Sequence, residues 1–486
     1  MPPASDERTS PFELACLGVL LLVAGWLRFR HLGLMEFKSD EALAVRIGRD
    51  ILHGDVRTTG LTSSAGAANP PLFVYLTALP LAFWNDPRGA TAFVGLMGVV
   101  AVALTYFVLR PRFGWLAALS AAALLATAPW AVLYGRKLWA QDLLPVVTVS
   151  LLWSLFVLLE RVRSRWVLLV PLLFSLCLEL NFSALALVVP VVVVLLYRRR
   201  QVHWPAFLLG VAVSLVPLAP WLAHNARHHF RDVTALAKEG RGHGGSSTFG
   251  EGAVEAVRQT VHLVSTTGWS FVTGATHEGG AWWTLGRSAG FAVVAAFVVG
   301  LVTCTLAAAR RRDLAGARRA LLVVWLLGIW LSYVTSARDR VQPHYLIASY
   351  PVSLAVAGIG LSDAVGLVRG PRRAAARTAA AVAVALVAVA FVGFTLSFQR
   401  FVAHHGGTAG DYGVAYEHSA ALAAAAKRRG LNVDDQTLEF LATGSLDSPA
   451  GTARIVRTRD LLSTPRHLRC RGTLRTFGPL EACFPP

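Results

Sequence analysis

Long apolar runs separated by short polar breaks occupy the chain from residue 12 to residue 397, and within each run the apolar positions are continuous rather than confined to one helical face. A helix that is apolar all round belongs in a protein core or in lipid, and about 20 such residues cross the hydrocarbon layer. The first run is residues 12–30; no small-residue cleavage motif follows it, so it reads as an uncleaved anchor. Further runs follow at about 89–109, two within 115–159 around the polar break at Arg136 to Asp142, and two within 166–197 around Glu179 and Asn181. One precedes His224, one follows Arg287, two lie within 320–368 around Ser336 to His344, and the last is about 378–397. The pattern predicts eleven spans.

Residues 70–84, PPLFVYLTALPLAFW, are apolar too. As a helix they reach only about 22 Å, short of the ~30 Å needed, and Pro80 interrupts them. They are expected to lie on the membrane surface, with Asn69 as cap and Pro70 and Pro71 in the first turn. Five compact arginine clusters then set the orientation: Arg110 and Arg112; Arg161, Arg163 and Arg165; Arg198 to Arg200; Arg310 to Arg312 with Arg318 and Arg319; Arg369 with Arg372, Arg373 and Arg377. Short basic loops stay cytoplasmic, and the chain crosses an even number of times between each pair of clusters. The N-terminus is therefore expected inside and residues 398–486 outside.

Composition agrees. Hydrophobic residues make up 55% of the 486 and charged residues 15%, against roughly 25% charged in a soluble domain, which excludes an ordinary globular enzyme. The net charge of +18 sits in loops between apolar runs, so it speaks for membrane topology and lipid contact, not for a nucleic-acid partner. Only Lys38, Lys137, Lys238 and Lys427 are lysines; the bias to Arg and Ala suggests a bacterial chain and hence a plasma (inner) membrane. Cys16, Cys177 and Cys304 lie in apolar runs, whereas Cys470 and Cys483 are in the polar tail and can pair if that tail is outside the cytoplasm. No phosphate-binding glycine loop, dinucleotide fingerprint or HExxH motif is present. His224, His228 and His229 lack a tight ligand spacing and read as interfacial. Trp269, Trp282 and Trp283 fit a membrane-interface belt, with sugar stacking as a second role.

The first outer loop, expected over residues 31–88, opens with MEFKSDEALAVRIGRDILHGD. Its periodicity predicts a short amphipathic helix starting near Asp40. Asp40 and Glu41 suit that helix start as cap and first-turn acids, and a carboxylate there can also serve as an exposed base. An Asp-Glu pair shortly after the first span, followed by an N-P-P-L helix, resembles the GT-C glycosyltransferases of the protein O-mannosyltransferase and aminoarabinose transferase group. GRKLWAQDLLP (135–145), PHYLIASYP (343–351) and GGTAGDYGVAY (406–416) are similar to further stretches of that family, in order, over nearly the whole chain.

The resemblance implies an all-α polytopic fold: a GT-C-like bundle over residues 1–397, interfacial helices in the first outer loop, a long outer loop over 223–287, and a small outer-side α/β appendage over 398–486. It also implies an enzyme that moves a hexose or pentose from a polyprenyl-phosphate donor to a protein, lipid or glycan on the outer face, with inversion. Asp40 is then the general base and Glu41 the second carboxylate, orienting the acceptor or helping to hold a divalent metal if one is used. Such chemistry needs cations on the departing phosphate and a carboxylate for the acceptor proton. Lys38, Arg88, Arg136, Lys137, Asp142, Arg338, His344 and Tyr345 are the residues expected to bind donor phosphate and sugar. Arg88 enters because Thr91 stands where the family carries an arginine. Two other readings share these features: a transporter or flippase of a lipid-linked saccharide, for which Glu179 speaks, and a glycan polymerase or ligase.

Overall fold

The structure is a computed structural model that describes residues 9–63, 66–240, 249–274, 279–336, 341–444, 455–464 and 466–485, without the side chains of 238–240. Among the described residues, eight helical segments are long and apolar enough to cross a membrane: Pro11–Phe29, Pro87–Phe113, Ala140–Glu160, Trp204–Arg227, Ala281–Arg310, Leu314–Ser332, Pro343–Gly366 and Arg372–His405. The other three expected spans fall on shorter helices, so length alone gives eight.

In chain order, α1 (Pro11–Phe29) leads to the helices α2 (Ser39–Leu52) and α3 (Leu72–Phe83). Next come α4 (Pro87–Phe113), α5 (Trp115–Thr127), α6 (Pro129–Tyr134), α7 (Leu144–Glu160), α8 (Leu169–Leu180), α9 (Val188–Arg198) and α10 (Trp204–Arg227). The second long loop carries α11 (Arg231–Gly240), α12 (Glu251–Val264) and α13 (Ser270–Thr273). The bundle closes with α14 (Ala281–Arg310), α15 (Leu314–Ser332), α16 (Tyr350–Gly366) and α17 (Arg372–His405).

The Pro343–Gly366 segment is central: 83% of its most apolar window is buried, against 22% for the α10 and α14 windows. The faces that α10 and α14 leave exposed are apolar, with Leu208, Leu209, Val216, Leu285 and Phe291 among them. That is the surface of a helix facing lipid. At the end of the bundle that carries the arginine clusters, half-buried ion pairs tie the helices together. Glu13 receives Arg110 at 2.9 Å and Glu160 receives Arg112 and Arg318 at 2.7 and 2.9 Å.

The α5–α6 break shows what an intramembrane proline demands. Pro129 has no N–H to give the carbonyl of Leu125, four residues back, and Arg28 supplies the missing donors. Its guanidinium, 1% exposed, donates to the carbonyls of Leu125, Ala126 and Ala131 at 3.0–3.2 Å, and to that of Ala24. Gly98 and Gly135 leave room for it, since a Cβ at either would come within 2.8 Å of Nε.

The tail folds as α18 (Tyr416–Lys427) and α19 (Gln436–Thr443) against a four-stranded sheet of β1 (Asn432–Val433), β2 (Ile455–Asp460), β3 (Thr473–Phe477) and β4 (Leu480–Phe484), ordered β1-β2-β4-β3. The β1–β2 pair is parallel and the others antiparallel. Cys470 and Cys483 form the disulfide open to them in the sequence.

Two local expectations change. Asn69 does not cap α3: its backbone pairs with Gly60 and Leu61, and Pro71 stands at the cap position. Trp269 and Trp283 are core residues, 2% and 5% exposed, packed edge-on against Phe394; only Trp282 is exposed. Helical aromatic spacing looks the same whether the ring meets a lipid headgroup or another ring.

Candidate active site

Glu41 builds the start of α2. α2 begins at Ser39, and the Glu41 carboxylate reaches back to accept the Lys38 backbone N–H at 2.9 Å, the reciprocal arm of a capping box. Asp40 is therefore not the cap. It stands on the second helical residue, exposed, with no hydrogen bond or ion pair among the described residues. Its neighbour is the opposite case: Glu41 is fully buried, its Oε1 has no hydrogen-bond partner, and burial raises its pKa.

A charged cluster lies beside them. Lys137 Nζ is 2.7 Å from Glu36 Oε1 and 3.4 Å from Asp411 Oδ2; Lys38 Nζ is 2.5 Å from the same Glu36 oxygen and 3.3 Å from Asp411 Oδ1. Two cations thus alternate with two anions, one anion buried and one at the rim. Burial lifts the Glu36 pKa to about 7 against the pull of Lys137 and Lys38. Burial also works against charge on Lys38, but Glu36 and Asp411 outweigh it and raise the ammonium's pKa. Asp411 goes the other way: the two lysines overcome its burial and hold it below the usual carboxylate range.

The walls are aromatic and acidic. Trp139 lies under Lys137, with Nζ 3.2 Å from the ring centroid. His344 packs edge-on against Trp139 at 5.1 Å and against Tyr345 at 4.2 Å. Asp142 is 4% exposed, both its oxygens lack a hydrogen-bond partner, and Lys137, Glu36 and Glu41 are the charged side chains it feels most. Among the described residues no three His, Cys, Asp or Glu side chains gather as a metal site.

The tail completes the cluster. Ala415 bridges to Glu36, and Asp411 N–H donates to the Phe271 carbonyl at 2.9 Å, pinning residues 406–416 between the α1–α2 connection and α13. Glycines permit the approach: a Cβ at Gly410 would meet the Val272 carbonyl oxygen at 2.4 Å, and Gly413 has φ 67°.

The structure thus gathers Lys38, Glu41, Lys137, Asp142, His344 and Tyr345, with Asp40 on the same short helix. It gives Arg136 another task. The Arg136 guanidinium is buried and donates to the carbonyls of Leu27, Arg28, Arg30 and His31 at 2.6–3.1 Å, closing the C-terminal end of α1. Arg88 is paired with Asp86 at 2.8 Å, stacked over Trp84 and Tyr416, and takes no part in the lysine cluster. Arg338 lies outside the described residues. Glu36 and Asp411 were missed. Glu36 is a lone acid in an apolar stretch; the signal for Asp411 was its place in the quoted GGTAGDYGVAY motif.

Comparison with known structures decides the architecture. The chain matches ArnT from Cupriavidus metallidurans bound to undecaprenyl phosphate with a TM-score of 0.59 over 98% of each chain, at 15% identity. The fold is that of ArnT. The apo state of the same protein matches equally, with a TM-score of 0.59 over 97% of each chain and 16% identity. The Archaeoglobus fulgidus oligosaccharyltransferase is more distant, with a TM-score of 0.48 over 80% of this chain and 56% of that one, at 13% identity. Residues 68–224 match the family described as dolichyl-phosphate-mannose-protein mannosyltransferase. No curated protein sequence matches the chain.

Proposed function

We propose that this protein is an inverting glycosyltransferase that moves a sugar from a polyprenyl-phosphate donor to an acceptor at the outer face of a bacterial plasma membrane. The observation that carries the reading is the pair of lysines bridged by carboxylates beside an exposed helix-start aspartate, set in a fold shared with a protein that binds undecaprenyl phosphate. Lys38 and Lys137 hold the donor phosphate and stabilise the charge that grows on it as the C1–O bond breaks. Asp40 takes the acceptor's hydroxyl proton as its oxygen bonds to C1, and the bonding pair leaves with the phosphate. Glu41 through Oε1 and Asp142 through both oxygens, buried and without protein donors, accept hydroxyls of the sugar or acceptor. Trp139, His344 and Tyr345 give the sugar an aromatic wall.

The transporter reading rests on Glu179, buried in α8 with both oxygens unpartnered. It has no ion pair among the described residues, whereas a coupled pathway needs a chain of paired ionisable groups. The test is transfer from an undecaprenyl-phosphate sugar by the purified chain, with mass spectrometry of envelope glycans in a strain lacking it. Sugar-carrying products absent from that strain support the enzyme; an unchanged envelope, together with no donor consumption, refutes it.

A further inference from the structure

The two anions of the lysine cluster differ in a way the proposed chemistry does not by itself require. Glu36, 4% exposed, places one oxygen 2.5 and 2.7 Å from both ammoniums. Asp411, 31% exposed, straddles the same pair from the rim with one oxygen on each, at 3.3 and 3.4 Å. Those are long for charge-assisted bonds, which close to about 2.7–2.9 Å. The arrangement of two oxygens on two lysines is the one a bound phosphate would adopt.

We propose that Asp411 is an exchangeable stand-in for the donor's phosphate: its carboxylate neutralises Lys38 and Lys137 when no donor is bound, and yields to the phosphodiester when one arrives. This rests on the reading of the lysines given above. Charge balance supports a one-for-one exchange. With Glu36 ionised, the two lysines, Glu36 and Asp411 sum to zero, a sugar-carrying polyprenyl phosphodiester brings a single negative charge, and replacing one anion by another leaves the charge of the cluster unchanged. The sugar-free product, a monoester with about −1.5 to −2 charge, occupies the same two lysines and meets the same competing carboxylate.

The exchange needs only a side-chain rotation. Lys38 Nζ also donates to the backbone carbonyl of Asp411 at 2.6 Å, and Asp411 N–H is fixed on Phe271, so loop and lysine stay in place when the carboxylate swings out. Lys137 keeps Glu36 and the Trp139 face.

The test measures undecaprenyl phosphate affinity for the full chain in nanodiscs, comparing wild type with Asp411→Asn, Asp411→Ser, Asp411→Glu and Lys137→Met. Removing an internal competitor that occupies the lysines nine-tenths of the time tightens binding about tenfold. Asp411→Asn and Asp411→Ser are expected to show that gain, Asp411→Glu to match wild type, and Lys137→Met to lose binding. Unchanged or weaker binding by the Asn and Ser variants, with Lys137→Met still defective, overturns the stand-in alone. Wild type that fails to bind, or Lys137→Met that binds normally, overturns the reading of the lysines as well. Asn and Ser variants that cannot be isolated folded also refute the proposal, because a stand-in anion is dispensable to the fold.

Discussion

Arg136 and Lys137 are adjacent, equally charged and both buried, yet the structure gives them unrelated duties, and replacing each by Met separates the two. Arg136 makes four hydrogen bonds to main-chain carbonyls between Leu27 and His31, all from one guanidinium. Without it the carbonyls of Arg28 and Arg30 lose their donor in an enclosed region, while that of His31 keeps the Leu34 N–H and that of Leu27 keeps Gln399. At about 1–3 kcal/mol for each buried polar group left unpaired, and with some relaxation, Arg136→Met is expected to cost roughly 3–5 kcal/mol. Lys137→Met removes a cation from Glu36, but Glu36 already titrates at about 7 and can meet the loss by taking up a proton. Its stability cost is expected to be smaller, about 1–2 kcal/mol, because the uncompensated charge need not persist. Thermal unfolding of both variants in detergent, alongside undecaprenyl phosphate binding, gives the contrast. Arg136→Met should melt several degrees lower and bind once folded, while Lys137→Met should keep most of its stability and fail to bind. The reverse pattern would put the guanidinium on the phosphate and undo the assignment.

That contrast marks where sequence reading stops. Spans were legible because continuous apolarity is a property of composition over 20 residues, and the α2 start was legible because acids and apolar periodicity coincide at Asp40, Glu41 and Ala42. Which of two neighbouring cations faces the cleft depends on a turn between α6 and the Ala140–Leu143 segment, where no period exists to read. Lys38 and Lys137 were both among the expected phosphate ligands, but nothing in the sequence set Lys137 above Arg136. Glu36 carried no mark, and its partnership with Asp411 spans most of the chain, a distance across which only the folded tail brings residues together. Arg28 was invisible for a related reason. An arginine near a span's end reads as a snorkelling anchor, and only the break at Pro129 reveals that it serves carbonyls of another helix.

Three further outcomes are expected. Asp40→Asn should lower transfer by about 10²–10⁴-fold with melting and donor binding unchanged, because that side chain has no partner among the described residues to lose; normal turnover removes Asp40 as the base. Reducing the Cys470–Cys483 disulfide, which closes a 13-residue separation, should destabilise the tail sheet by up to about 3 kcal/mol while the spans keep their protection from hydrogen exchange; loss of protection throughout would show tail and bundle to be one cooperative unit. The last concerns pH. Glu36 holds its proton more firmly in the folded chain than at its ordinary value of 4.5, so its contribution to stability is greatest below 4.5 and is lost as pH rises to about 7. The loss amounts to about 3 kcal/mol, and buried Glu41, shifted in the same direction, adds to the slope. Asp411 is shifted down, so the stability it contributes is lost only as pH falls below its ordinary 3.8, outside this window. The melting temperature of the wild type should therefore fall relative to that of Glu36→Gln as pH rises from about 4.5 to about 7. A slope equal to wild type in the Gln variant would mean that Glu36 stays ionised between its two lysines throughout, and that burial does not control its proton.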